Sequence, residues 1–173
     1  GRYHQNLGAY YAAIRDYDKA LEQYKLAFNA EKRDDKIYNL IGSVLLYRAE
    51  MKLGISERFQ KGIVLSEITL DKIDEEERLN IQNDIKQAYE WLNLAIKQVN
   101  PIINAYYNYS KACIYDSLFL GGGSQKMSEA DKYLNTVEII WNMNDSQKPK
   151  GYLYTRRNYW EANKEYDKAL EIN

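Results

Sequence analysis

Few residues in this chain have the types and spacing that chemistry needs. His4 is the single histidine, so a zinc site or a serine-hydrolase-type triad would rest on it alone. It reads instead as a large packing residue on the first helix. Cys113 is the single cysteine; with no partner it forms no intramolecular disulfide, and its place on an inward helix face makes it a small buried hydrophobe rather than a nucleophile. Gly121-Gly122-Gly123-Ser124-Gln125-Lys126 has the glycines of a phosphate loop. It lacks the Gly-Lys-Ser/Thr ending and a preceding strand, and reads as a flexible connection. The acidic run 71–77 lacks the central glycine and alternating ligands of a calcium loop. Arg156-Arg157 could grip an anionic partner but reads as a pair of surface arginines before a helix. Asn108-Tyr109-Ser110 and Asn144-Asp145-Ser146 fit the glycosylation sequon, the first in mid-helix, and both are expected to be chance matches. No catalytic set emerges, so the expectation is a non-enzyme without cofactor or metal.

Composition narrows the class further. A net charge of −1 over 173 residues argues against a nucleic-acid binder, which carries a basic excess or patch. Two prolines and nine glycines leave long stretches rich in Leu, Lys, Glu, Ala and Gln, the profile of an all-α protein. Seventeen tyrosines suit helix faces at a border between core and groove, where a ring packs and its hydroxyl stays wet. No apolar run reaches the length of a membrane span, so direct membrane insertion is not expected. No signal peptide is visible. The chain opens on Gly1 without an initiator Met and stops at Asn173 where a helix has barely ended, so it is expected to be a region of a longer protein. Its location stays open, with the cytoplasm favoured, as does its oligomeric state.

Helices are expected over 2–14, 17–31, 36–53, 76–99, 102–119, 127–142, 150–157 and 159–172. Asp16 is placed to cap the second, and Asp34 or Asp35 the third, which Gly54 should end. Residues 55–76 are expected to be an insertion holding a short amphipathic helix capped by Ser56, with Phe59, Ile63, Leu65 and Ile68 on one face. The acidic run suits the positive end of the helix that follows, and Pro101 the start of a new one.

One pattern recurs. Tyr17, Ala20, Tyr24 and Ala27 are spaced 0, 3, 7 and 10, one face of a helix, and Tyr159, Ala162, Tyr166 and Ala169 share that spacing. Small residues let a neighbouring helix come close while large ones fill the gap a turn away. Ala88-Leu92-Ala95 and Ala130-Leu134-Val137 carry the same code. Recurrence along a chain indicates stacked units rather than one globular core.

The pattern resembles the tetratricopeptide repeat family, through Leu7, Gly8, Tyr11, Tyr17, Ala20, Tyr24 and Ala27 in residues 1–34. Ile41-Gly42 with Leu45, and Tyr109-Ser110 with Cys113, match the first halves of later repeats. The resemblance implies an all-α, right-handed superhelix of about four antiparallel helix pairs, with repeats near 1–34, 35–100 (insertion 55–76), 101–142 and 143–173. It also implies a concave groove lined by the first helix of each pair, with Gln5, Asn6, Ala9, Asn39, Ser43, Tyr47, Tyr107, Asn108, Lys111 and Tyr115 as groove residues. Asn amides there would bond an extended peptide and Tyr rings would take apolar side chains. Tyr47 and Tyr115 read equally as packing residues, and Tyr109 and Tyr11 chiefly so. A subfamily grips the carboxylates of chaperone tails with a Lys and Asn set; Gln5, Ala9 and Leu40 stand where that set is needed, so no such clamp is expected. The function implied is a scaffold for a protein or peptide partner. The alternatives are a sensory region of a larger regulator and the scaffold of a glycan-binding outer-membrane lipoprotein. Trp91, Trp141 and Trp160, spread among helix contacts, count against the last.

Overall fold

The computed structural model of the chain describes residues 2–30, 34–141, 148–165, 168, 169 and 171. It is all-helical, with no strand among the described residues: α1 (Arg2–Ala13), α2 (Tyr17–Phe28), α3 (Ile37–Leu53), α4 (Ile55–Gln60), α5 (Glu75–Ile96), α6 (Ile103–Phe119), α7 (Gly123–Trp141) and α8 (Lys150–Ala162). The sequon at Asn144 and the repeat residue Tyr166 lie outside the described residues.

Local chemistry sets most helix ends. Asp16 accepts from Lys19 N at 3.2 Å and caps α2. Asp74 accepts from Glu77 N and caps α5, whose first turn holds Glu75, Glu76 and Glu77. Gly54 ends α3 in the left-handed conformation (φ 62°), as its position predicts. Asp34 accepts from Lys36 N, which tightens the turn before α3 without capping the helix itself.

Three helix pairs pack antiparallel. Between α1 and α2, His4 bonds Gln23 while Tyr11 meets Lys19. Between α3 and α5, Tyr38 meets Trp91 while Arg48 bonds Asp84. Between α6 and α7, Tyr106 stacks on Tyr133 and Tyr109 donates to Glu129. Helices α3 and α6 instead run parallel, because Asn39 pairs with Asn108 and Glu50, further along α3, with Lys111 and Tyr115 further along α6. The fully covered small and large residues of the repeated code, Ala20, Ala88, Leu92, Ala130 and Leu134 among them, form the seams. Burying each Leu contributes about 1.5–3 kcal/mol.

Three expectations are corrected. The helix in the insertion ends at Gln60, well short of Ile68, since Gly62 turns the chain at φ 77°. Gly54 rather than Ser56 precedes its first residue. A single-turn 3₁₀ helix, Leu65–Glu67, follows. The glycine run is not a loose link either: Gly123 already opens α7, four residues before the expected start. The third correction concerns the C-terminus, where residues 150–162 form one helix with Tyr159 and Trp160 inside it, not two helices broken at residue 158. The turn that follows, Asn163–Glu165, repeats the α1–α2 turn bond for bond. Asp16 N donates to Tyr11 O at 2.9 Å and Glu165 N to Trp160 O at 2.7 Å; Arg15 N donates to Ala12 O and Lys164 N to Glu161 O, both at 3.0 Å. Arg15 and Lys164 both adopt a left-handed backbone, φ 65° and 61°. This double bond pattern is the Schellman ending of a helix. α8 therefore corresponds to α1, and Tyr159 to Tyr10 rather than to Tyr17.

Candidate binding groove

A concavity of about 690 Å³ runs from the α1–α2 turn across α3 and α6 to the first two turns of α8. Its floor is built by successive turns of α3 (Asn39, Ser43, Tyr47) and α6 (Asn104, Tyr107, Asn108, Lys111). Each set recurs at three or four residues, so each lies along one helix stripe. α8 closes the far side with Gly151, Tyr154 and Thr155, and the start of α4 adds Ile55, Ser56 and Glu57 as a side wall.

Two polar clusters join α3 to α6 at this floor. Nδ2 of Asn108 donates to Oδ1 of Asn39 at 3.1 Å, with both residues over nine-tenths buried. Glu50 accepts from Lys111 Nζ at 2.7 Å through one oxygen and from the Tyr115 hydroxyl at 2.8 Å through the other. Its charge is thus already answered from within the chain, and the Lys111 ammonium also stands 5.3 Å from the centre of the Tyr47 ring. Burial, then the Glu50 carboxylate, holds the Tyr115 phenol well above its usual range, so it remains a donor. Burial, and secondarily Tyr47, pushes the Tyr107 phenol up to about 12, leaving it protonated at neutral pH.

Six expected groove residues line the concavity: Asn39, Ser43, Tyr47, Tyr107, Asn108 and Lys111. Two do not. Tyr115 is fully buried and serves as a donor to Glu50 under the floor. Asn6 is exposed on α1, but the groove begins only at Ala12 and Arg15, about 9 Å further along at 1.5 Å per residue. Gln5 and Ala9 are likewise outside it. Tyr109, expected as a packing residue, is buried and bonded to Tyr89 and Glu129.

Sequence reasoning missed the α8 wall. The signal was present: Tyr17-Asp18-Lys19-Ala20-Leu21-Glu22 recurs unchanged as Tyr166-Asp167-Lys168-Ala169-Leu170-Glu171. Aligning on that hexapeptide makes α8 a first helix and places Tyr154 and Thr155 at the groove positions held by Tyr107 and Asn108 on α6. Gly151 has a specific role there. A Cβ on it would lie 2.8 Å from Cε2 of Tyr107, so its absence lets that ring lie against α8. The insertion reaches the same helix, where Phe59 packs 5.9 Å from the Tyr154 ring and the Arg157 guanidinium stands 4.2 Å from Phe59.

No protein-family model, no curated protein and no solved structure matches this chain. No helix among the described residues is long and apolar enough to cross a membrane.

Proposed function

We propose that the chain is a non-enzymatic protein-interaction module, a stack of tetratricopeptide-like helix pairs coiled into a right-handed superhelix that holds a peptide or helix of a partner protein in its groove. The observation that carries this reading is the groove itself: one concavity spans three helices and the α1–α2 turn, and its floor is made of Asn, Ser, Tyr and Lys side chains. Such a lining offers rings to apolar side chains and amides to polar ones. Its one deeply placed carboxylate is already bonded twice, so it supplies no unsatisfied charge for acid–base work.

The test is to pan displayed peptide libraries on the chain and to repeat the binding with Asn39→Ala/Tyr107→Ala/Asn108→Ala. Ligands that bind the wild type and lose at least tenfold on the triple variant support the groove. Ligands that bind both equally move the site elsewhere, and an absence of ligands counts against an interaction module of this kind.

A further inference from the structure

Tyr3 and Tyr10 of α1 are exposed where the equivalent residues of the later first helices are covered. Gly8 matches Gly42 by the close approach each allows and Ser110 by sequence, while the shared turn matches Tyr10 to Tyr159. On that alignment the counterparts of Tyr3 and Tyr10 are Ile37 and Val44 on α3, Ala105 and Ala112 on α6, and Tyr152 and Tyr159 on α8. All six are between 0 % and 7 % exposed, whereas Tyr3 is 71 % and Tyr10 58 % exposed.

Each of these later first helices packs on the second helix of the pair before it. Tyr17 of α2 stacks on Tyr47 of α3, Tyr109 of α6 donates to Tyr89 of α5, and Tyr152 of α8 donates to Glu138 of α7. Among the described residues, nothing takes that place on α1. Tyr3, Tyr10 and, in the turn that follows, Ile14 stand at spacings of 0, 7 and 11 and form an open apolar stripe. Single apolar residues on a surface need no partner, but a stripe in register with three buried seams points to one.

The chain itself carries a segment that fits. On α2, Tyr17 and Phe28 meet α3 at Tyr47 and Tyr38; Leu21 lies between them on the same stripe and is buried. The first six residues of α2 recur unchanged at 166–171, after a turn whose bonds are those of the α1–α2 turn. Leu170 there stands where Leu21 stands. Within one copy α1 and this segment belong to opposite ends of the stack, so a second copy must bring them together.

We propose that the chain associates with itself head to tail, residues 166–171 of one copy lying across Tyr3 and Tyr10 of the next as α2 lies on α3. This goes beyond the groove reading and does not depend on it. The contact joins two different surfaces, so the series closes into a ring or grows open-ended. A net charge of −1 offers little repulsion between copies.

Sedimentation velocity of the whole chain, from micromolar to near-millimolar concentration, tests this. The expected result is an average mass that rises with concentration. Tyr3→Glu/Tyr10→Glu and Leu170→Glu should each weaken self-association at least tenfold, by leaving an unpaired carboxylate in the contact. Mixed together, the two variants should form a one-to-one pair and grow no further, because the first keeps its C-terminal segment and the second keeps its α1. Circular dichroism checks that each variant is folded. If Leu170→Glu is not, the α1 variant still decides: added to wild type, it should end growing assemblies and lower their average mass. A wild type that stays monomeric throughout overturns the proposal. So does association that the α1 variant retains unchanged, or a mixture of folded variants that stays monomeric.

Discussion

Leu92 sits over Gly42 as Tyr24 sits over Gly8. A Cβ on Gly42 would lie 2.8 Å from Cδ2 of Leu92, and one on Gly8 2.5 Å from Cδ1 of Tyr24. The first pair is 50 residues apart in the chain and the second 16, yet the close approach of the two helices is the same. The segment between α3 and α5 is thus looped out of a helix pair that packs as if it were absent.

Gly42→Ala should therefore destabilise the protein by about 1–3 kcal/mol, although the same change in an open helix gains about 0.5–1 kcal/mol. Urea denaturation of the single variant, Leu92→Ala and the double variant gives the coupling. The Gly42→Ala cost should shrink or reverse once Leu92 is trimmed.

The helix-ending turns make an opposite prediction. Arg15 and Lys164 hold a left-handed backbone that glycine adopts freely. Arg15→Gly should raise stability by about 0.5–1 kcal/mol, read as a higher denaturation midpoint, while Arg15→Val should lower it.

These same turns show why the C-terminal register was illegible from spacing. Matching Tyr159 to Tyr17 or to Tyr10 differs by seven residues, almost two full helical turns, so a small/large face fits both alignments. Face periodicity cannot choose between them; the turn can, because Asn163-Lys164-Glu165 must make the bonds of Ile14-Arg15-Asp16. The helix ends at Asp16 and Gly54 were legible because each depends on one residue and its immediate neighbours. Most of the groove floor was legible because Asn39, Ser43, Tyr107 and Asn108 follow from repeat position. The path of residues 55–74 was not, since Phe59 and Leu65 are placed by α8, which is distant in sequence.

Arg48 binds buried Asp84 through two bonds, 2.7 and 3.0 Å, and exposed Asp18 through a third. The hydrogen bond to Asp84 is also the main reason that its guanidinium holds its proton above the usual range. Arg48→Met leaves the Asp84 carboxylate buried with only Lys52 at 3.4 Å, and should cost about 2–4 kcal/mol in thermal unfolding. Asp18→Ala removes an exposed pairing and should cost under about 1 kcal/mol.

Alkaline pH should unfold the protein in a defined window. Burial raises the Cys113 thiol from about 9 to about 12 and the Tyr107 phenol from about 10 to about 12, and it holds Tyr115 higher still. In the unfolded chain these groups ionise at their ordinary values. Groups whose folded values are raised contribute stability below the unfolded value and lose it as pH climbs to the folded one. Denaturation midpoints should hold up to about pH 9 and fall from there toward pH 12. Phenolate absorbance should show part of the tyrosine set titrating only together with unfolding. Cys113 should resist alkylation at pH 8 until the chain is unfolded.

The central claim is that a peptide lies on the α3–α6–α8 face. Nuclear magnetic resonance titration of the isotopically labelled chain with a selected linear peptide tests it most directly. The account predicts shifts concentrated at Asn39, Ser43 and Tyr47 on α3, at Tyr107, Asn108 and Lys111 on α6, and at Tyr154 on α8. Shifts concentrated instead on the outward residues of α2, α5 and α7, with the amide signals of Asn39 and Asn108 unmoved, would contradict it.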